Sequence, residues 1–307
     1  MIDFYAARQQ LLDTHPCTQD TVSLNLSEAG GRVLAQSLTA QYPSPMFDNS
    51  AMDGYALCDV SGKLKQFRVV KRIAAGDSAA ISLQDGEAAR IFTGAPIPAN
   101  TTAVIAQEQT ECTGDVLHCL TDVVAGQNIR FQAEELALDS ELLAQGTLLH
   151  TAALGLAASQ GYAKVPVYQK LTAIVFSSGN EILEPSDDLC PGKIYDANRY
   201  QLIAWLSGLG LVVQDGGILP DNLARTEAAL GYAAKQFDII ITSGGASVGD
   251  ADYLKQAISA VGELTEHNVA IKPGKPFSWG HIGNTKVFIL PGNPVATFVT
   301  AQMLLLP

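Results

Sequence analysis

The sequence predicts a multidomain, elongated chain of class α/β plus β. It combines a parallel-sheet α/β domain, an inserted small β-barrel-like domain and a mixed α/β connecting domain. Three observations support this prediction. The 307 residues exceed the usual size of a single core. Short β-type runs separated by glycine-rich turns fill residues 41–133, and strands alternate with helices after residue 169.

The first segment predicts helices that belong to a connecting domain. Phe4–Leu12 and Ser27–Leu38 show amphipathic patterns, and two closely spaced prolines then force an extended path over Tyr42–Ser50. A helical pattern returns after residue 134, where an alanine-rich helix is predicted at Ala152–Gln160. We therefore expect residues 1–40 and 134–168 to form one discontinuous connecting α/β domain, since an insertion is tolerated where its ends lie close together.

The inserted segment, residues 41–133, reads as a small antiparallel barrel or sandwich, because its strands are short and its turns are frequent. The predicted strands are Phe67–Ile73, Ala88–Thr93, Ala103–Gln107, Val116–Leu120 and Asn128–Phe131.

The last segment, residues 169–307, predicts a wound parallel sheet, because its strands alternate with helices. Its predicted strands are Leu171–Phe176, Leu211–Val213, Asp238–Thr242, Phe277–His281 and Lys286–Leu290. Its predicted helices are Asn198–Leu209, Leu223–Lys235, Tyr253–Gly262 and one that begins at Val295.

The stretch Phe237–Tyr253 is the centre of the predicted α/β domain. A β-branched strand ends at Ser243-Gly244-Gly245, the loop continues through Ser247 and Gly249, and Asp250 or Asp252 can cap the next helix. A strand, a glycine loop and a helix N-terminus together can hold an anion. The alternative is an ordinary tight turn, but the nearby hydroxyls and carboxylates favour a phosphate with a metal ion.

Two other loops are expected at the same sheet edge, because parallel strands all end there. They are Ser177–Glu181 and Pro291–Pro294, and the carboxylates that this edge would carry are Glu181, Asp196, Asp250 and Asp252. Asp196 precedes a helix, so it is equally a helix cap or a site residue. Lys272 and Lys275 lie on a proline-stiffened segment that suits a compact oxyanion.

The composition of the chain argues against several classes of protein. A formal net charge of −12 argues against general nucleic-acid binding, which needs a broad basic face. The five cysteines are scattered without a Cys-x-x-Cys spacing, which predicts reduced thiols and no zinc site. Neither a signal peptide nor a membrane-spanning apolar run is visible in these residues, so we expect a cytoplasmic protein with no membrane partner.

Seven motifs resemble, in family order, the molybdopterin molybdenumtransferase family, which comprises bacterial MoeA and the E domain of gephyrin. The motifs are Asp48–Tyr55, Thr93–Pro98, Ser178–Ile182, Tyr195–Asn198, Thr242–Asp252, Lys272–Pro276 and Leu290–Pro294. The resemblance covers almost the whole chain and implies that the last domain is MogA-like and binds molybdopterin. It further implies that Asp48–Tyr55, the DGY motif, lies in the inserted domain.

The resemblance implies an enzyme that inserts molybdate into adenylylated molybdopterin with Mg²⁺-assisted release of AMP. It implies a homodimer with a shared active site, and the molybdopterin adenylyltransferase is a further candidate partner. The implied catalytic residues are Asp53, Glu181, Asp196, Asp252, Lys272 and Lys275, and the implied metal ligands are Glu181, Asp196 and Asp252. The implied cofactor-binding residues are Thr93, Ser243, Gly244, Gly245, Ser247, Gly249, Pro291, Gly292, Asn293 and Pro294.

The sequence departs from the family pattern at three positions. Asn180 stands where an aspartate is frequent, Glu135 replaces an aspartate, and Asn268 replaces a basic residue. Asn180 and Asn268, together with the absence from this sequence of the small β domain that family members carry beyond residue 307, motivate an alternative, a scaffold protein that binds molybdopterin or the finished cofactor without turnover. A third possibility is an adenylyltransferase that acts on molybdopterin, which the long first half of the chain disfavours.

Overall fold

The computed structural model describes residues 1–14, 20–78, 80–245 and 253–306. Its α-helices are α1 (Phe4–Thr14), α2 (Thr151–Ser159), α3 (Asn198–Gly208), α4 (Leu223–Ala233), α5 (Tyr253–Val261) and α6 (Pro294–Thr300), which runs into a π-helical segment, Ala301–Leu305. Short 3₁₀ turns lie at Leu26–Glu28 and Gln107–Gln109. Among the described helices, none has the length and apolar character needed to cross a bilayer.

Most strands of the first half are short. In chain order they are β1 (Thr21–Asn25), β2 (Leu38–Thr39), β3 (Asn49–Ser50), β4 (Gly54–Leu57), β5 (Gln66–Ile73), β6 (Glu87–Ile91), β7 (Ala103–Ala106), β8 (Thr110–Thr113), β9 (Val116–Cys119), β10 (Ile129–Arg130) and β11 (Glu141–Leu143). In the second half they are β12 (Lys164–Tyr168), β13 (Thr172–Ser178), β14 (Ile182–Leu183), β15 (Ile194–Tyr195), β16 (Val212–Leu219), β17 (Ile239–Ser243), β18 (Glu263–Asn268), β19 (Pro276–Ile282) and β20 (Thr285–Leu290).

The chain divides into two compact units. Unit 1 comprises Met1–Val22 and Val167–Pro307, and unit 2 comprises Ser23–Pro166. Helix α1 therefore groups with the α/β unit, because Ala7 and Leu11 are buried in that unit's core. The finer division into 1–40 with 134–168, 41–133 and 169–307 stays a prediction.

Unit 1 is built on a six-stranded sheet in the order β16-β13-β17-β20-β19-β18. The strands β16, β13, β17 and β20 are parallel, as predicted. The prediction of an all-parallel sheet is wrong at the other edge, where β19 runs antiparallel to β20 and β18 runs antiparallel to β19. Only Gly283 and Asn284 connect β19 to β20, and a two-residue connection allows a hairpin but no parallel crossover.

Both faces of this sheet are covered. Val175, Ile241 and Phe288 belong to one core cluster, together with side chains of α1 and α3. Their neighbours along the strands, such as Ile240 and Val287, belong to a second cluster with α4 and α5. Burial on both faces explains why these strands read as continuous apolar runs.

Unit 2 is built on a six-stranded sheet in the order β7-β4-β6-β5-β9-β8. Its pairs are antiparallel, as predicted, except that β5 and β6 run parallel. In the described residues, β7 and β8 end the hydrogen-bonded order. Buried clusters cover both faces of the sheet, and the unit also contains helix α2 and the short strand pairs β2–β11 and β3–β10.

The predicted helix at Ser27–Leu38 is wrong. The segment forms one 3₁₀ turn and then an extended path to β2. The Gly31 and Leu34 N–H groups donate to the carbonyl oxygens of Leu149 and Thr147. These long-range backbone bonds supply the partners that a helix would otherwise provide, so tertiary pairing overrides the helical periodicity.

Candidate functional site

Three loops meet at the carboxyl edge of the parallel strands in unit 1. Ser177 and Ser243 lie in register on neighbouring strands, with their Oγ atoms 3.2 Å apart and buried. The Gly244 N–H donates to the Leu290 carbonyl at 3.1 Å, which ties the second loop to the third. A side chain at Gly244 would place Cβ 2.5 Å from the Ser178 carbonyl oxygen, so this close approach requires glycine. The predicted convergence of the three loops is confirmed.

The third loop, residues 291–294, is held by its own helix. Asn293 caps α6 by accepting hydrogen bonds from the N–H groups of Val295 and Ala296, and Pro294 occupies the first turn. The Asn198 side chain donates to the Gly292 carbonyl at 2.7 Å. The loop is thus fixed from two directions. We call residues 177–181, 243–245 and 291–294 the rim.

The first rim loop leads to an exposed carboxylate, Glu181. The neighbouring Asn180 exchanges two hydrogen bonds of 3.3 Å with Asp221, and Lys193 Nζ donates to the Asn180 carbonyl at 2.5 Å. Asp221 is exposed and was not predicted from the sequence. The strand β16 continues to Leu219 and so brings Asp221 to the same edge, but Gly216 and Gly217 weaken the strand signal in the sequence.

Asp196 is buried and bonded to Arg199. Its Oδ1 accepts the Arg199 N–H at 3.2 Å at the start of α3, and its Oδ2 accepts from Arg199 Nε at 2.9 Å. Burial alone would lower the pKa of Arg199, but hydrogen bonds to Asp196, Asp215 and Glu184 raise it above the ordinary arginine value. The N-cap of α3 is Ala197, so the prediction that Asp196 is the cap is wrong by one residue, although its side chain accepts an N–H of the first turn. Its role as a metal ligand stays a prediction.

Lys272 and Lys275 lie at the same sheet edge as the rim. Because β19 is antiparallel to β20, the start of β19 at Pro276 lies at the end where β20 finishes. The loop before it packs on α6, since a Cβ at Gly274 would lie 2.3 Å from Thr300 Oγ1. Both lysine side chains are exposed.

Unit 2 presents its own pair of predicted site residues, Asp53 and Thr93. Asp53 Oδ1 accepts the Thr93 N–H and the Thr93 hydroxyl, each at 2.8 Å. These two bonds, with a smaller contribution from Arg90, lower the pKa of Asp53 below its ordinary value. Arg90 also donates to the Gly54 carbonyl at 3.0 Å and stacks on Tyr55. The exposed Asp53 carboxylate is thereby kept ionised and held in place.

Removing the Thr93 hydroxyl should raise the pKa of Asp53 toward its ordinary value. Thr93→Val deletes one of the two hydrogen bonds to the ionised carboxylate and keeps the other. Since the lowered pKa favours the charged form, its stabilising effect is present above the unfolded-state pKa and is lost as the pH falls through the folded pKa. Carboxyl-detected NMR titration checks the shift, and an unchanged Asp53 pKa would contradict it.

Some of the other predicted site residues are described by the structure and some are not. Ser247, Gly249, Asp250 and Asp252 lie outside the described residues. Asn268 pairs with Pro276 beside the lysine loop, and Glu135 accepts the Ser44 hydroxyl at 3.0 Å in unit 2. In the described ranges no three His, Cys, Asp or Glu side chains form a metal cluster, and Cys58, Cys112, Cys119 and Cys190 are free thiols.

A cavity of about 610 Å³ in unit 1 does not belong to this site. Its lining includes Leu171, Ile239 and Lys286, which lie where β13, β17 and β20 begin. The cavity is therefore at the opposite edge of the sheet from the rim, and its walls are mostly leucine.

Comparison with known proteins identifies the family. Residues 2–161 match the family described as "MoeA N-terminal region (domain I and II)", and residues 174–307 match "Probable molybdopterin binding domain". A molybdopterin molybdenumtransferase from Haemophilus influenzae is 40% identical over 310 residues, covering 100% of this chain and 76% of that protein. The chain belongs to the MoeA family.

Two further proteins show the same similarity. Molybdopterin molybdenumtransferase 2 of Mycobacterium tuberculosis is 36% identical, covering 93% of this chain and 74% of that protein. The crystal structure of a molybdopterin biosynthesis moeA protein from Pyrococcus horikoshii superimposes with a TM-score of 0.86 at 29% identity, covering 99% of this chain and 77% of that one. The similarity thus extends over both units.

Proposed function

We propose that this MoeA-family chain is a molybdopterin molybdenumtransferase that inserts molybdate into adenylylated molybdopterin and releases AMP. The observation that carries the proposal is the sheet edge of unit 1. There the rim, two exposed carboxylates and the loop with Lys272 and Lys275 occur together. The Haemophilus influenzae relative, which covers 100% of this chain, bears the same enzyme name. The proposed site of action is the cytoplasm.

The proposed reaction balances without an added oxidant or reductant. Water adds to the adenylyl phosphorus, the bond from that phosphorus to the bridging oxygen breaks, and AMP, the pterin phosphate and two protons are released. Two Mo–S bonds then form to the dithiolene sulfurs, and one molybdate oxygen leaves as water with those two protons. Lys272 and Lys275 would hold molybdate or phosphate, as two ammonium groups on a stiff segment suit a compact oxyanion.

We propose that exposed carboxylates at this sheet edge help to hold a magnesium ion. Mg²⁺ commonly takes one or two carboxylates together with water and substrate phosphate oxygens. Glu181 and Asp221 are exposed at one end of the sheet, linked through Asn180, whereas both oxygens of Asp196 are bonded to Arg199. When bound, the ion would neutralise charge on the phosphoanhydride. Glu181 and Asp221 are the proposed holders among the described residues, and Asp196 and Asp252 stay the further ligands that the resemblance implies.

The proposal also includes a homodimer with shared active sites. Asp53 and Thr93 are bonded to each other in unit 2, whereas the rim lies in unit 1. The Asp53 carboxylate is exposed and ionised, so it is available to a site that another copy completes. Ser243–Gly245, Ser247, Gly249 and Pro291–Pro294 would cradle the pterin phosphate and the dithiolene end.

The test measures AMP release from adenylylated molybdopterin with and without molybdate. We expect wild-type protein to release AMP in a molybdate-dependent manner. In the variant that carries both Lys272→Ala and Lys275→Ala, the apparent affinity for molybdate should fall by about 10-fold or more. The reason is that each charge-assisted hydrogen bond contributes about 1.5–3 kcal/mol. Lys235→Ala, an exposed lysine after α4, is the matched control. Wild-type protein that releases no AMP with molybdate would contradict the proposed function.

A further inference from the structure

We propose that Arg199 is a positioning residue for the candidate site, because it fixes the segment that carries Glu181. This inference rests on the proposed function. The carboxylates that bind the Arg199 guanidinium, those of Glu184, Asp196 and Asp215, all lie outside the rim loops. Arg199 therefore acts on the excursion 181–196, which leaves the sheet after β13 and returns at α3.

The Arg199 guanidinium joins carboxylates from three separate elements. Its side chain is only 3% exposed, and its Nη2 donates to both oxygens of Glu184 at 2.6 and 2.5 Å. Its Nε donates to Asp196 at 2.9 Å, and its Nη1 donates to Asp215 on β16. All of the guanidinium nitrogens are therefore used, and they connect α3, the main sheet and both arms of the excursion.

Apart from Arg199, the excursion is held by short strands and by single side-chain bonds, such as those from Lys193 Nζ to the Asn180 carbonyl and from the Tyr195 hydroxyl to the Asp187 carbonyl. Its two strands, β14 and β15, contain two residues each. The backbone bonds between its arms include those from Ile194 N–H to the Glu181 carbonyl and from Asp196 N–H to the Leu183 carbonyl, each 2.9 Å. Glu184 follows the first arm and Asp196 ends the second. Arg199 thus clamps both arms, and its partner on the first arm, Glu184, lies three residues after Glu181.

Lysine cannot replace this clamp. An ammonium group is a compact point charge, whereas the planar guanidinium presents five N–H donors in a fixed fork. A lysine at this position could contact one of the three carboxylates well and would leave the others without their buried partner. The arms would then loosen, and a small displacement of a reacting group lowers the rate more than it lowers binding.

The test uses the full-length protein with Arg199→Lys, and with Glu184→Gln as a milder second variant. We expect Arg199→Lys to lower kcat for AMP release by about 10- to 100-fold, with KM for adenylylated molybdopterin changed by less than about 3-fold. Glu184→Gln should lower kcat in the same direction. Arg225→Lys, an exposed arginine on α4, is the matched control and should leave kcat unchanged.

A double-mutant cycle separates positioning from general destabilisation. If Arg199 acts through Glu181, Arg199→Lys should lower kcat by less than about 2-fold when Glu181→Gln is already present. The effects of residues that act together on one step are not additive. Equal losses in both backgrounds would overturn the inference. Amide hydrogen exchange of residues 182–196 should accelerate about 10-fold or more in Arg199→Lys while β13 and β17 stay protected.

Exchange also distinguishes this inference from the proposed function. Wild-type protein without molybdate-dependent AMP release would contradict the function, but the exchange of residues 182–196 would still report on the clamp. Unchanged exchange in both Arg199→Lys and Glu184→Gln would overturn the positioning role, whatever the activity of the wild type.

Discussion

Glu181→Gln should lower molybdate-dependent AMP release by about 100-fold or more. Glu181 is the exposed carboxylate at the end of the first rim loop, and Asn180 beside it is locked by Asp221 and Lys193. Glutamine has nearly the size of glutamate but carries no charge, so it can neither transfer a proton nor bind a cation. General acid–base catalysis by a side chain contributes about 10²- to 10⁴-fold to the rate. Steady-state AMP release with saturating molybdate is the measurement.

The control for Glu181→Gln lies in the same excursion. Asp188 is exposed, and Asp188→Asn removes the same charge a few residues away. We expect its rate to match wild type and both melting temperatures to stay unchanged. If the Glu181→Gln variant turns over at the wild-type rate, Glu181 takes no part in the reaction.

Gly54→Ala should destabilise unit 2 by about 3 kcal/mol and disturb Asp53. A Cβ at Gly54 would lie 1.9 Å from the Ile105 carbonyl oxygen on β7, so the two strands must separate. Forcing atoms into a packed region costs about 1–3 kcal/mol and sometimes more. The Gln107 N–H donates to the Asp53 carbonyl at 3.0 Å, so the displacement of β4 from β7 reaches the site residue. Thermal unfolding and AMP release check the two effects.

The matched control is Gly155→Ala in α2 of the same unit. A Cβ there meets no atom within 4 Å, and the residue lies inside a helix. Alanine should therefore stabilise the protein by about 0.5–1 kcal/mol, because it loses less backbone entropy than glycine. If Gly54→Ala unfolds at the wild-type temperature, the close packing of β4 on β7 is not required.

The α/β unit was predictable to within a few residues at its centre. The run Asp238–Thr242 corresponds to β17 at Ile239–Ser243, and the helix predicted from Tyr253 is α5. Doubly buried strands read as apolar runs and glycines mark where they stop, so strand, loop and helix are visible locally. The convergence of three loops on one edge then followed from the parallel order of the strands.

The prediction was least reliable where partners lie far away in the sequence. Asp221 was missed because β16 was predicted as Leu211–Val213, whereas it extends over Val212–Leu219. Its second half contains Gly216 and Gly217, which weaken the strand signal. The helix expected at Ser27–Leu38 failed because its backbone pairs with residues 147–149.

The sequence by itself determined the family, the α/β character of the last part of the chain and the residue types that the sheet edge carries, because local periodicity and motif spacing encode these features. Only the tertiary structure decided which carboxylates are exposed and which are occupied. Asp196 and Glu181 look alike in the sequence, but Arg199 occupies both oxygens of Asp196, Oδ1 through its backbone N–H and Oδ2 through its buried guanidinium, whereas Glu181 is exposed. That difference depends on burial and on partners brought together from separate elements, which no local pattern records.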